Sequence, residues 1–131
     1  MIIAIDHIEL IVRDVKKHVE FYEALGFKLL SWTEHHGGSA ELQLPGENQP
    51  IIEIHELLTE ENPGVNHISF RARDIEETYE DLVSKGISFY RDLHASPTTG
   101  RKNALFRDPD GWRLQLSSEK RVDYVKTADK T

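Results

Sequence analysis

The chain has 131 residues, 38% of them hydrophobic, and a formal net charge of −7. That is enough apolar material for one compact core, but no apolar run nears the ~20 residues of a bilayer span, and the acidic balance opposes nucleic-acid phosphates. With no cysteine there is no disulfide framework and no thiolate metal site, and with no basic-flanked apolar leader the expectation is a cytoplasmic protein that touches neither membrane nor nucleic acid.

In chain order, Ile3 to Val12 alternates as a strand, with Ile8, Leu10 and Val12 on one face and His7 and Glu9 on the other. Asp14 offers an N-cap, and Val15, Val19, Tyr22 and Leu25 follow at helical spacing, closed by Gly26. Phe27 to Thr33 reads as a second strand, Glu34 to Gly38 as a turn carrying His35 and His36, and Ser39 to Leu44 as a third strand. Ile51 to Glu56 is a fourth, with Ile52 and Ile54 opposite Glu53 and His55. A polar connector with a Pro63-Gly64 turn follows.

The same order then recurs. Ile68, Phe70 and Ala72 oppose His67, Ser69 and Arg71; Asp74 with Glu77 forms a capping box; Gly86 closes a second helix. Short strands are expected at Ile87 to Arg91, Asn103 to Phe106 and Trp112 to Leu116, the last after an Asp108-Pro109-Asp110-Gly111 turn. Trp32 and Trp112 read as packing residues and His18 as a surface residue. Between His7 and Gly26, six positions are identical to those sixty residues later: His7/His67, Ile8/Ile68, Arg13/Arg73, Asp14/Asp74, Glu20/Glu80 and Gly26/Gly86. Unrelated segments would share about one such identity, so the chain reads as a duplicated unit.

The expectation is one domain over residues 1–131, with module one at about 3–57, module two at about 65–118 and a charged tail at 119–131. The first and last strands of each module have one aliphatic face and an opposite face bearing a ligand-type side chain: His7, Glu53, His67 and Gln115. Two imidazoles and a carboxylate suit a catalytic divalent metal with open positions. The plainer alternative is the solvated polar face of an antiparallel sheet.

The chain resembles the vicinal oxygen chelate superfamily, which includes glyoxalase I, methylmalonyl-CoA epimerase, extradiol dioxygenases and bleomycin-resistance proteins. The resemblance is carried by Asp6-His7-Ile8-Glu9-Leu10, Phe21 to Phe27, Asn66-His67-Ile68-Ser69-Phe70 and Asp108 to Leu116. It implies an α+β fold of two tandem βαβββ modules, forming an open cupped mixed sheet with helices on the outer face. It also implies a divalent ion (zinc, nickel, iron or manganese) on His7, Glu53 and His67, with Gln115 as fourth or outer group. The metal enzymes usually have glutamate at that last position. Gln115 cannot act as a general base, so Glu53 becomes the expected catalytic base; His55 on the same face competes with it. Ser69, Arg71, Arg113 and Glu9 are expected to face an anionic or oxygen-rich substrate, or else to form a solvated, ion-paired face. The resemblance further implies a homodimer acting on a small molecule by isomerisation, epimerisation or lyase chemistry, with dioxygenation less favoured. The alternative is a metal-free binding protein of the bleomycin-resistance type.

Overall fold

A computed structural model describes residues 1–33, 38–58, 60–97 and 100–119. Most of the expected turn with His35 and His36, and the charged tail beyond residue 119, lie outside the described residues. The elements are β1 (Ile2–Val12), α1 (Val15–Ala24), β2 (Lys28–Thr33), β3 (Ser39–Gln43), β4 (Ile51–Glu56), β5 (Gly64–Ala72), α2 (Ile75–Ser84), β6 (Phe89–Ala95), β7 (Lys102–Arg107) and β8 (Arg113–Ser118). This is the expected α+β class, with the βαβββ order occurring twice.

Residues 7–66 make one compact unit, and residues 1–6 with those from 67 onward make another. In the first unit the strands lie in the order β2-β3-β4-β1. The β1–β4 pair is parallel and the other two are antiparallel. The second unit has the order β5-β8-β7-β6, again with a parallel pair, β5–β8, and antiparallel neighbours. The repeat read in the sequence is thus a repeat of strand pairing as well as of element order.

Both helices are set by their ends. The Asp14 carboxylate accepts from Lys17 N at 3.0 Å, and that of Asp74 accepts from Glu77 N at 3.3 Å, each satisfying an otherwise unpaired first-turn N–H. At the other end Gly26 and Gly86 take φ of 105° and 92°, the left-handed conformation glycine adopts without a Cβ penalty. Backbone bonds from Phe27 N to Tyr22 O and from Ile87 N to Leu82 O, both 3.0 Å, complete the same C-terminal motif.

Each helix covers the aliphatic face of its own unit's strands. Val15 and Val19 of α1 pack with Val12, Ala40, Leu42 and Ile54. In the other unit, Ile75 of α2 packs with Ala72, Ala104, Phe106 and Leu116. Leu42, Ile54 and Leu116 are fully buried. The period-2 pattern leaves the polar side chains of these strands on the face away from the helix.

Two expectations are corrected. Trp32 and Trp112 are 40% and 66% exposed rather than packed. Trp32 lies on the edge strand β2. Trp112 belongs to a turn fastened through its backbone, with its N–H on Asp108 Oδ1 at 2.9 Å and its carbonyl accepting from Asp108 N at 3.0 Å. The strand expected at Ile87 to Arg91 runs instead from Phe89 to Ala95, with register shifts along its pairing to β7. Those irregularities break the alternation from which a sequence pattern sets strand limits.

Candidate functional site

In the unit of residues 7–66, the face of the strands opposite α1 is unusually acidic. Register places Glu9 beside Glu53 across β1–β4, and Glu53 beside Glu41 across β3–β4. Three carboxylates therefore stand in one row. Like charges directly across a ladder repel, and each glutamate has a compensating neighbour. His55 Nδ1 lies 3.0 Å from Glu9 Oε1. Ser31 Oγ donates to Glu41 Oε1 at 3.1 Å. His7 Nε2 is 3.4 Å from Glu53 Oε2.

His7 and Glu53 put a nitrogen and an oxygen donor side by side, a set that suits a borderline divalent cation. His7 is buried, and the Glu53 side chain is 29% exposed. Among the described residues, no group of three or more His, Cys, Asp or Glu side chains stands together as a metal site.

His55 has two carboxylate partners, because its Nε2 lies 3.3 Å from Glu61 Oε2. Carboxylates only accept, so making both bonds requires both ring nitrogens to be protonated. The Glu9 hydrogen bond raises the His55 pKa most; burial opposes it, and Glu61 adds to the rise. The Glu61 pKa is lowered, first by the Leu58 N–H and then by His55. Glu61 Oε1 accepts that N–H at 2.8 Å, so one carboxylate fastens the connector to the sheet face. The structure therefore gives His55 and Glu9 to each other, which favours Glu53 over His55 as the side chain beside His7.

In the unit built on β5 and β8, His67, Ser69 and Arg71 share a face, with Ser69 in register beside Gln115 and Arg71 beside Ser117. Ser69 Oγ and Ser117 Oγ are 2.5 Å apart, and Ser117 Oγ donates to Gln115 Oε1 at 3.0 Å. Arg71, expected at the substrate, donates from Nε to Asp6 Oδ1 at 2.9 Å. Arg101 holds the same fully buried carboxylate with two bonds, of 3.0 and 2.9 Å, and also donates to Ser118 O at 2.6 Å. Two guanidinium groups on one carboxylate make a charge-assisted cluster. Arg113 is exposed at the start of β8, in register with Arg107.

Sequence reasoning missed Glu41, Ser31, Glu61, Asp6, Arg101 and Ser117. Glu41 was accessible to it, since it alternates with Ala40 and Leu42 on β3. Arg101 was not: it lies just outside β7, in a loop, and meets Asp6 across 95 residues.

Comparison with known proteins places these faces in a family context. Residues 4–116 match the family profile described as Glyoxalase/Bleomycin resistance protein/Dioxygenase superfamily. The uncharacterised protein YraH of Bacillus subtilis (strain 168) is 32% identical over 79% of this chain and 88% of its own length. YwkD, another uncharacterised protein of that strain, is 29% identical over 86% of this chain and 94% of its own. A Streptomyces coelicolor methylmalonyl-CoA epimerase variant, solved with 2-nitronate-propionyl-CoA, is similar in fold. Its TM-score is 0.73 at 23% identity, over 90% of this chain and 98% of that one.

Proposed function

Because the chain belongs to the Glyoxalase/Bleomycin resistance protein/Dioxygenase superfamily, we propose that it is a divalent-metal-dependent enzyme acting on a small substrate with two adjacent oxygens. Isomerisation or epimerisation is the favoured chemistry, with lyase chemistry next. His7, Glu53 and His67 are the proposed ligands, for zinc, nickel, iron or manganese. The observation that carries the reading is the 3.4 Å spacing of His7 Nε2 and Glu53 Oε2 beside a second, buried carboxylate, Glu41.

A divalent ion held by these residues would supply Lewis-acid chemistry to a substrate oxygen. The carboxylates divide the remaining work. Glu53, the base expected from the sequence, would be committed to the cation, so that Glu41, next to it in register, is the proposed carboxylate to take a proton from the substrate carbon. Ser31 donates to one Glu41 oxygen. His55 and Glu61 fix Glu9, so that the third glutamate of the row does not compete for the ion. Arg113 is the exposed cation proposed to meet an anionic substrate group. Arg71, tied to Asp6, sets the rigidity of β5 and, through its remaining nitrogens, is proposed to contact substrate.

The test is metal content followed by proton exchange. Protein reconstituted with each of the four metals is expected to hold about one ion per chain, with affinity falling about tenfold or more in His7→Ala and Glu53→Ala. In D2O it is expected to exchange the carbon-bound proton of an acyl thioester such as methylmalonyl-CoA, and to lose that exchange in Glu41→Gln. Failure to bind any of the four metals would overturn the proposal. It would favour the metal-free binding protein, a reading to which Gln115 lends support by replacing a carboxylate with an amide. Exposed Leu29, Leu30 and Trp32 on the edge strand β2, with Phe21 of α1 and Leu25 at its C-cap, support the proposed homodimer, which sedimentation would detect. No helix among the described residues is long and apolar enough to cross a membrane.

A further inference from the structure

The two helices begin at equivalent corners that are closed differently. At the start of α2 the backbone of Met1 is bonded to Arg73 in both directions, at 2.9 and 3.0 Å, and its nitrogen donates to Thr78 Oγ1 at 2.6 Å. The chain itself fills that corner, and Thr78 is buried. Sixty residues earlier, around Arg13 and His18, there is instead a cavity of about 490 Å³, a size within the range of about 300–1,000 Å³ usual for small-molecule sites. Glu61, the counterpart of Met1, is drawn to His55 and to Leu58 N, and Pro63, in the cavity wall, has no N–H with which to close it. The floor is apolar: Leu10, Val12 and Tyr22 belong to the core of this unit or pack against it. The rim is cationic, with Arg13, Lys17 and His18 against one carboxylate, Asp14. That carboxylate already accepts from Lys17 N at 3.0 Å, so the helix end is served from within and the cations are left over. At the other corner Glu77 and Thr78 stand where Lys17 and His18 stand here, which removes the excess positive charge.

We propose that this cavity binds a small amphiphilic monoanion, a carboxylate carried on a compact apolar body. The body covers the Leu10–Val12–Tyr22 floor, and the carboxylate meets Lys17 and Arg13, whose planar fork matches it. An inorganic anion would leave the floor against water, and a neutral apolar molecule would leave the cations unanswered. Two permanent cations less the Asp14 carboxylate leave one positive charge, which a single carboxylate balances. His18 adds a polar contact. Its Nδ1 lies 2.8 Å from Asp14 O, and because a carbonyl only accepts, Nδ1 carries the proton and Nε2 is left for the ligand. Leu10 and Val12 lie on the aliphatic side of β1, opposite Glu9. The site is therefore separate from the acidic row and does not depend on the metal proposed there.

The experiment is titration of the full chain with β-naphthoate, followed by amide NMR. Saturable shifts are expected at Arg13, Lys17, His18 and Gly64, which line the cavity. β-Naphthamide, of the same shape without the charge, is expected to bind about fivefold or more weaker, the scale of two exposed ion pairs. Acetate, which has the charge without the body, is expected to give no saturable shift at these amides. A protein with Arg13→Gln and Lys17→Gln together is expected to lose naphthoate by a similar factor. Both side chains are exposed, and thermal unfolding checks that this protein is folded; the naphthamide comparison needs no substitution at all. Naphthoate shifts that never saturate, or that fall only on other amides, overturn the proposal. So does naphthamide binding as tightly as naphthoate, acetate saturating the same amides, or a folded double variant that binds naphthoate as before.

Discussion

The two modules share one plan and have opposite polar faces. In residues 7–66 the row Glu9–Glu53–Glu41 makes the face acidic, and histidines and a serine sit against the carboxylates. On β5 and β8 the matching face is neutral to basic, with His67, Ser69, Arg71, Gln115 and Ser117, and its one buried acid, Asp6, is held by two arginines. The aliphatic faces of both modules stay interchangeable in kind. Duplication therefore preserved what the fold needs, a covered apolar face and two capped helices, while the faces free of that demand diverged in charge.

The largest stability effect should come from breaking the basic module's buried cluster. Asp6→Ala leaves Arg101, 7% exposed, facing Arg71 without their shared carboxylate, and is expected to cost about 3–5 kcal/mol in urea unfolding. The two aliphatic cores should instead behave alike: Leu42→Ala and Leu116→Ala, both at 0% exposure, are each expected to cost about 2–5 kcal/mol. A large gap between them would show that the modules do not share one packing solution.

Helix caps sharpen the comparison at a smaller scale. Asp14→Ala is expected to cost about 1 kcal/mol. Asp74 caps its helix at φ 53°, in the left-handed region, so Asp74→Ala should cost about 1 kcal/mol more, and Asp74→Gly should recover most of that difference.

In the acidic module the pH effect centres on His55. The His55 pKa lies above its ordinary 6.5 because of Glu9 and then Glu61. A raised histidine pKa adds stability that is complete below the unfolded value and is lost as pH rises through the folded one. The stability lead of the unsubstituted protein over His55→Gln, followed by unfolding at several pH values, should therefore be full below about 6.5 and shrink above it. The Glu61 pKa is lowered, so its share runs the other way and fades as pH falls through that lowered value. The smallest effect is expected at Lys102 and Glu76, an ion pair about half exposed at 49% and 52%. Water and salt screen it, and Lys102→Met should leave the melting curve within measurement scatter.

Sequence alone determined the element order, the repeat at sixty residues, the capped helix ends and, within each module, the strand face that carries His7 and Glu53 or His67 and Gln115. These are local matters: a two-residue alternation, an aspartate before a helix and a glycine after it act within a few residues of themselves. Tertiary structure alone decided that Glu41 stands beside Glu53, that His55 belongs to Glu9 and Glu61, that Asp6 gathers Arg71 and Arg101, and that Ser117 lies between Ser69 and Gln115. Each of those depends on strand register or on a loop returning from far along the chain. Register is set by whole faces packing together, so no short stretch of sequence contains it.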